Sequence, residues 1–133
     1  MTIQYSVAVR NAELDAIEVT TSTAPTLTIN TGGKPVDCAT ANSGTTLVTM
    51  VLPSDWMAAA SGGAKALSGT WEDTSADAAG TAGHFRIHQG TVCHIQGTVT
   101  ISAGGGDMEL DNTNIAVAQQ VSITTFTITA GNA

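Results

Sequence analysis

The chain has 133 residues, 42% of them hydrophobic, with four Lys and Arg against eleven Asp and Glu for a net charge of −7. Its only cations are Arg10, Lys34, Lys65 and Arg86, too few and too scattered to neutralise a phosphate backbone, so a nucleic-acid partner is not expected. Threonine fills 22 positions, more than all charged residues together, and only five residues are aromatic. β-Branched threonine suits a pleated, half-wet surface, whereas an isolated soluble domain normally covers itself with charge. The composition therefore predicts a β-protein with much of its outside packed against something.

The length fits one domain over residues 1–133. Met1 to Val7 shows no basic region followed by an apolar run, so no signal peptide is expected, and no stretch is long enough to span a bilayer. Cys38 and Cys93 lack CxxC partners, which argues against a structural zinc site. In a chain made in a cytoplasm they are expected to be buried free thiols, with a disulfide as the alternative.

One helix is predicted, over about residues 6–19. Ser6 is its N-cap, Val7, Leu14 and Ile17 fall near one face, and Ala8, Ala12 and Ala16 form a small-residue stripe. Thr20 to Thr23 favours extended chain and Pro25 disfavours helix at Ala24. Glu13, Asp15 and Glu18 crowd the C-terminal half, against the macrodipole, so docking of the apolar face must hold the helix.

Strands are predicted from about 26 to 130. Thr26 to Asn30 alternates, with Leu27 and Ile29 inward, and Val36 to Gly44 reads as a loop. Thr46 to Leu52 is apolar enough for a buried strand. Pro53 to Ala60 resembles a short helical turn, Lys65 to Trp71 a strand, and Glu72 to Gly80 an exposed loop. The strongest β signal is the pair 84–88 and 92–101. A three-residue turn, Gln89-Gly90-Thr91, pairs Ile87 with Cys93 and Phe85 with Ile95 and keeps one face dry. That register puts Cys93, Ile95, Val99 and Ile101 on the core face. A short strand follows at Met108 to Leu110, then a loop over 111–114. In the last strand, 120–130, the apolar phase changes between Ile123 and Phe126, which predicts a bulge near Thr124-Thr125. The sum is a mainly β, single-domain β-sandwich or jelly roll with one N-terminal helix.

Candidate chemistry is sparse. The register above puts His84, Arg86 and His88 on one side with His94 opposite Arg86. His84 and His88 would stand roughly 13 Å apart at about 3.3 Å per residue, too far to share a metal, so a polar outer sheet face or interface is preferred. Asp107, Glu109 and Asp111 alternate, with Asn112 and Asn114 nearby, a pattern that admits calcium but lacks the EF-hand glycine and distal glutamate; solvated edge residues are the simpler reading. Ser54, Ser61 and Ser68 sit in no nucleophile elbow. Cys93 and His94, adjacent on a strand, point to opposite faces. Gly62-Gly63 and Gly104 to Gly106 lack phosphate-loop partners. Trp56 and Trp71 read as core or subunit-contact anchors. No enzyme, cofactor or metal is expected.

The phrases Tyr5 to Glu18, Leu52 to Ala60, Gly80 to Ile87, Gly106 to Asn112 and Ile128 to Asn132 together resemble a type of small virion protein of tailed bacteriophages. The chain is most similar in texture to capsid cement or decoration proteins. That resemblance implies a compact β-fold, a homo-dimer or trimer, and binding to the outside of the major capsid protein shell. It implies synthesis in the host bacterial cytoplasm and a final place on the capsid surface. A tail, neck or head–tail adaptor subunit is the alternative. The N-terminal segment and the threonine-rich strand faces, Thr98 and Thr100 among them, are the expected contact surfaces.

Overall fold

The computed structural model describes residues 3–131; Met1, Thr2, Asn132 and Ala133, the ends of the 1–133 span, lie outside the described residues. In chain order the elements are α1 (Val7–Thr21), β1 (Thr26–Thr31), β2 (Thr46–Val51), β3 (Ala64–Ala66), β4 (Trp71–Asp73) and β5 (Gly80–Gln89). They continue with β6 (Val92–Ile101), β7 (Met108–Leu110), β8 (Asn114–Ile115), β9 (Val121–Ile123) and β10 (Thr127–Thr129). The protein is a mainly β sandwich with one helix, as its composition predicts.

One layer is a curled sheet in the order β2-β1-β5-β6-β7, with β8 beside the start of β5. Its strands are antiparallel except for the parallel pair β6–β7. Two ribbons, β3–β10 and β4–β9, form the other layer. Between them lie Leu27, Ile29, Val48, Met50, Phe85, Ile87, Val99 and Met108 from the sheet, met by Trp56, Trp71, Val121, Ile123 and Phe126. Few large side chains are available, so the aromatics form one chain of contacts. Phe126 lies 5.5 Å from both Trp71 and Phe85, and Trp71 lies 6.1 Å from Trp56. Such ring pairs add to the area they bury.

Helix α1 starts where Ser6 directs it, with Ser6 Oγ accepting from the Val9 N–H at 3.2 Å. It runs two residues past the expected end and stops as Ser22 and Ala24 adopt positive φ. Docking differs from expectation. Only Leu14 and Thr21 are buried, and Val7 is exposed. Polar side chains do much of the fastening: Asp15 accepts from the Ala60 N–H and from Lys65, Glu18 from the Met57 N–H, and Asn11 from the Gly63 N–H.

The hairpin of β5 and β6 corrects the predicted register. Its turn has two residues, Gly90 and Thr91, and pairs Gln89 with Val92 and His88 with Cys93. A bulge then shifts the ladder so that Ile87 faces Ile95 and Phe85 faces Gly97. The dry face survives because the turn and the bulge each move the register by one residue, and two such moves restore parity. Cys93, however, lies before the bulge and joins His88 and Arg86 on the opposite face. Ile101, expected inside, is exposed. Gly97 is required where it stands: a Cβ there would come within 2.6 Å of the Phe85 ring.

Four further expectations change. Residues 53–60 form no helical turn; Trp56 is fully buried and Met57 bridges to Leu67, so burial and cross-chain pairing override local propensity. Residues 65–71 are split between β3 and β4 by the turn at Gly69, whose φ is +71°. The expected 72–80 loop is shorter and anchored: Glu72 and Asp73 belong to β4, Gly80 opens β5, and Ala76 is buried and hydrogen-bonded to Gln119 and Ala118. The phase change at Thr124-Thr125 falls where predicted, but the strand switches sheets there instead of bulging.

Candidate functional site

The face of the main sheet opposite the core is the least ordinary part of the molecule. β1 contributes Thr28 and Asn30, β5 His84, Arg86 and His88, and β6 Cys93 and Gln96. The pattern reads as a solvent face, yet Asn30, His84 and Arg86 are buried. Residues 32–45, between β1 and β2, fold across them as a lid of irregular chain. A lid of this kind carries unpaired backbone groups, and the polar side chains beneath it supply their partners.

Arg86 is the centre of that layer. Its Nη2 and Nη1 donate to the carbonyls of Cys38 and Thr40, each at 2.8 Å, and its Nε donates to Cys93 Sγ at 3.3 Å. The His84 ring nitrogens lie 2.9 Å from the Gly32 carbonyl oxygen and 3.0 Å from Asn42 Oδ1. Asn30 Oδ1 accepts from Asn42 and Thr46, and Gln96 donates to the Pro35 carbonyl. The polar outer face expected around the histidines is thus an interior layer. His88 and His94 sit outside it, and His94 occupies the bulge, no longer opposite Arg86. Burial, then the neighbouring Arg86 and His94 charges, hold the His88 imidazole below its usual 6.5.

Within this layer Cys38 and Cys93 come side by side, unbonded and half-buried, with sulfurs 3.0 Å apart. Burial, the hydrogen bond to Cys93 and the Cys93 charge push the Cys38 thiol up to about 11. Spacing alone could not have paired them; the lid has to be in place first.

The remaining candidates serve the fold. Asp107 Oδ2 accepts from the N–H and hydroxyl of Thr98, and Glu109 accepts from the N–H groups of Ala103 and Gly105. Asn112 accepts from the Asn114 N–H, and Asp111 is exposed. Among the described residues no three His, Cys, Asp or Glu side chains converge as metal ligands. Ser54 and Ser61 lie on exposed loops, and the Ser68 carbonyl accepts from Trp71 Nε1. Trp56 and Trp71 are core anchors. The faces of Thr98 and Thr100, expected as contact surfaces, are half-covered: their hydroxyls accept from the N–H groups of Asp107 and Gly106 in the turn leading to β7.

Shallow grooves mark the surface, two of them near the acidic residues 107–111. One, of about 400 Å³, is lined by Glu109, Asp111, Gln120 and Thr124; the other, of about 480 Å³, by Phe85, Ile95, Asp107 and Ile128. Neither gathers titratable groups around a nucleophile, and Asp107 and Glu109 are already engaged by backbone.

The most unusual exterior feature is apolar. Ile3, Tyr5, Val7 and Val9, before and in the first turn of α1, are each between 44% and 56% exposed, and Val19, Val36, Val51 and Val117 are more exposed still. No helix of the described residues is long and apolar enough to cross a membrane. Compared with protein-family models, curated proteins and solved structures, the chain matches none of them.

Proposed function

We propose that this chain is a non-enzymatic structural protein of a tailed-phage virion, a capsid cement or decoration protein that binds the outside of the major capsid shell and stabilises it. The observation that carries this reading is four exposed large apolar residues within seven positions of chain, Ile3, Tyr5, Val7 and Val9, on a charge-poor molecule. Clustered exposed apolar side chains mark surfaces that pack against a partner. The internal cations support the same reading, since Lys65 and Arg86 are spent on holding the helix and the lid. An acidic exterior also suits the outside of a DNA-filled shell, where affinity for DNA would be harmful.

A tail, neck or head–tail adaptor subunit is the second reading, because it demands the same kind of adhesive, low-charge surface. An electron-microscopy map of the purified virion tests both. Many copies over the shell support the cement role. A single ring at a vertex or along the tail supports the adaptor role, and density for the chain in neither place overturns the proposal.

A further inference from the structure

The lid over Arg86 carries a second chemistry, independent of where the protein docks. We propose that Cys38 and Cys93 form a thiol–disulfide exchange site, at which a low-molecular-weight disulfide of the glutathione class converts them into an internal cross-link clamping the lid onto β6.

Geometry is the first argument. The cysteines are 55 positions apart in the chain, yet their sulfurs stand 3.0 Å from each other. A disulfide bond is about 2.05 Å long, so the sulfurs have only about 1 Å to travel. The second argument is what holds them there. One buried guanidinium grips both sides, with Arg86 Nη2 on the Cys38 carbonyl and Nε on Cys93 Sγ. Pro35, Thr40 and Asn42 tie the rest of the lid to Gln96, Arg86 and His84. The approach of Cys38 therefore precedes any covalent bond. Both cysteines are half-buried, so part of each residue stays open to solvent and to a small reagent.

The exchange proceeds in two balanced steps. Cys93, with the Arg86 Nε–H aimed at its sulfur, is the attacking group once its proton has passed to solvent at mildly alkaline pH, and Cys38, its thiol pushed up to about 11, is the resolving sulfur. That thiolate attacks one sulfur of the reagent, breaks its S–S bond and releases a small thiolate, which takes a proton from water. Cys38 then gives its proton to solvent, attacks Cys93 Sγ in the mixed disulfide and expels the second small thiol. Two protein thiols are oxidised, and one reagent disulfide is reduced to two thiols.

The test is to incubate the native protein with oxidised glutathione at mildly alkaline pH, block residual thiols with an alkylating agent and measure the intact mass without reductant. The expected product is a monomer lighter by two hydrogens, unalkylated, with a Cys38–Cys93 peptide on digestion. Amide exchange over residues 36–44 should slow several-fold in that product and recover on reduction. Cys38→Ser should stop at one stable glutathione adduct on Cys93. The proposal is overturned by two alkylatable thiols after treatment, by chains linked to one another, or by stable adducts on both cysteines of the native protein.

Discussion

Lys65 Nζ stands 2.7 Å from Asp15 Oδ1 and 2.7 Å from Glu18 Oε2, with the lysine side chain fully buried beneath α1. A helix whose apolar face is thin is thus pinned to β3 by charge. The hydrogen bond from Lys65, then that from the Ala60 N–H, holds the Asp15 carboxyl below its ordinary 3.8. Burial alone would lower the Lys65 value, but the hydrogen bonds and charges of the two carboxylates outweigh it and raise the ammonium above 10.5.

These shifts set opposite limits on stability. The Asp15 contribution is complete above about 3.8, its unfolded value, and is lost as pH falls through the lower folded value. The Lys65 contribution is complete below about 10.5 and is lost as pH rises through the higher folded value. Lys65→Met should lower the thermal midpoint at neutral pH, because Asp15, Glu18 and the Ala58 carbonyl all lose their donor. It should also remove the alkaline limb of the midpoint-against-pH curve. An unchanged alkaline limb in the variant would assign that limb to another group.

Arg86→Ala is expected to act on the lid before the core. It strips the Cys38 and Thr40 carbonyls of their donor and empties a buried volume. Unsatisfied buried groups and the cavity together should cost about 2–4 kcal/mol. Amide exchange over 36–44 should rise toward the unprotected rate while β1 and β5 stay protected. Chemical denaturation and exchange measured on the same variant separate the two effects, and a lid as protected as before would sink this account.

The contrast between lid and core marks what sequence can reveal. Ser6 announces the helix start because a cap is a local hydrogen bond, and Leu27 and Ile29 announce β1 because period-two burial is written in the side chains. The dry face of the β5–β6 hairpin is legible for the same reason. Its register is not, since a shorter turn and a bulge at His94 give the same parity as a longer turn. His84 and Arg86 mislead for a physical reason: side chains that hydrogen-bond to a lid's carbonyls and side chains that face water have the same alternation. Residues 53–60 mislead because the burial of Trp56 and the contact of the Met57 N–H with Glu18 are long-range terms.

Gly97→Ala tests the register where the hairpin meets the core. Gly97 faces Phe85, and a Cβ would lie 2.6 Å from the Phe85 ring and 2.9 Å from Asp107 Cβ. Relief requires moving Phe85, which is itself 5.5 Å from the Phe126 ring, so the strain passes to the junction between the layers. Overpacking of this kind should cost about 1–3 kcal/mol, read as a lower urea midpoint with an unchanged slope. In the predicted alternative, with Phe85 opposite Ile95, the same substitution would be nearly neutral.

Val7→Asp with Val9→Asp tests the exposed apolar segment at the start of α1 without endangering the fold. Both residues are exposed and lie in the first turn of α1, which carries no acidic residue, so carboxylates there complement the helix dipole. The thermal midpoint should therefore stay within the range of ordinary surface changes, about 0.5 kcal/mol. Docking is a different matter. Burying a valine side chain against a partner is worth about 1.5 kcal/mol, so losing two should weaken attachment about a hundredfold. Under the proposed cement role, co-sedimentation with particles lacking this chain measures it, and rebound particles should regain resistance to heat and osmotic shock only with the unsubstituted chain. Equal binding by the double variant would move the docking surface away from the start of α1. Thr49 on the edge strand β2, exposed and opposite the half-buried Thr28 of β1, would then be next to examine.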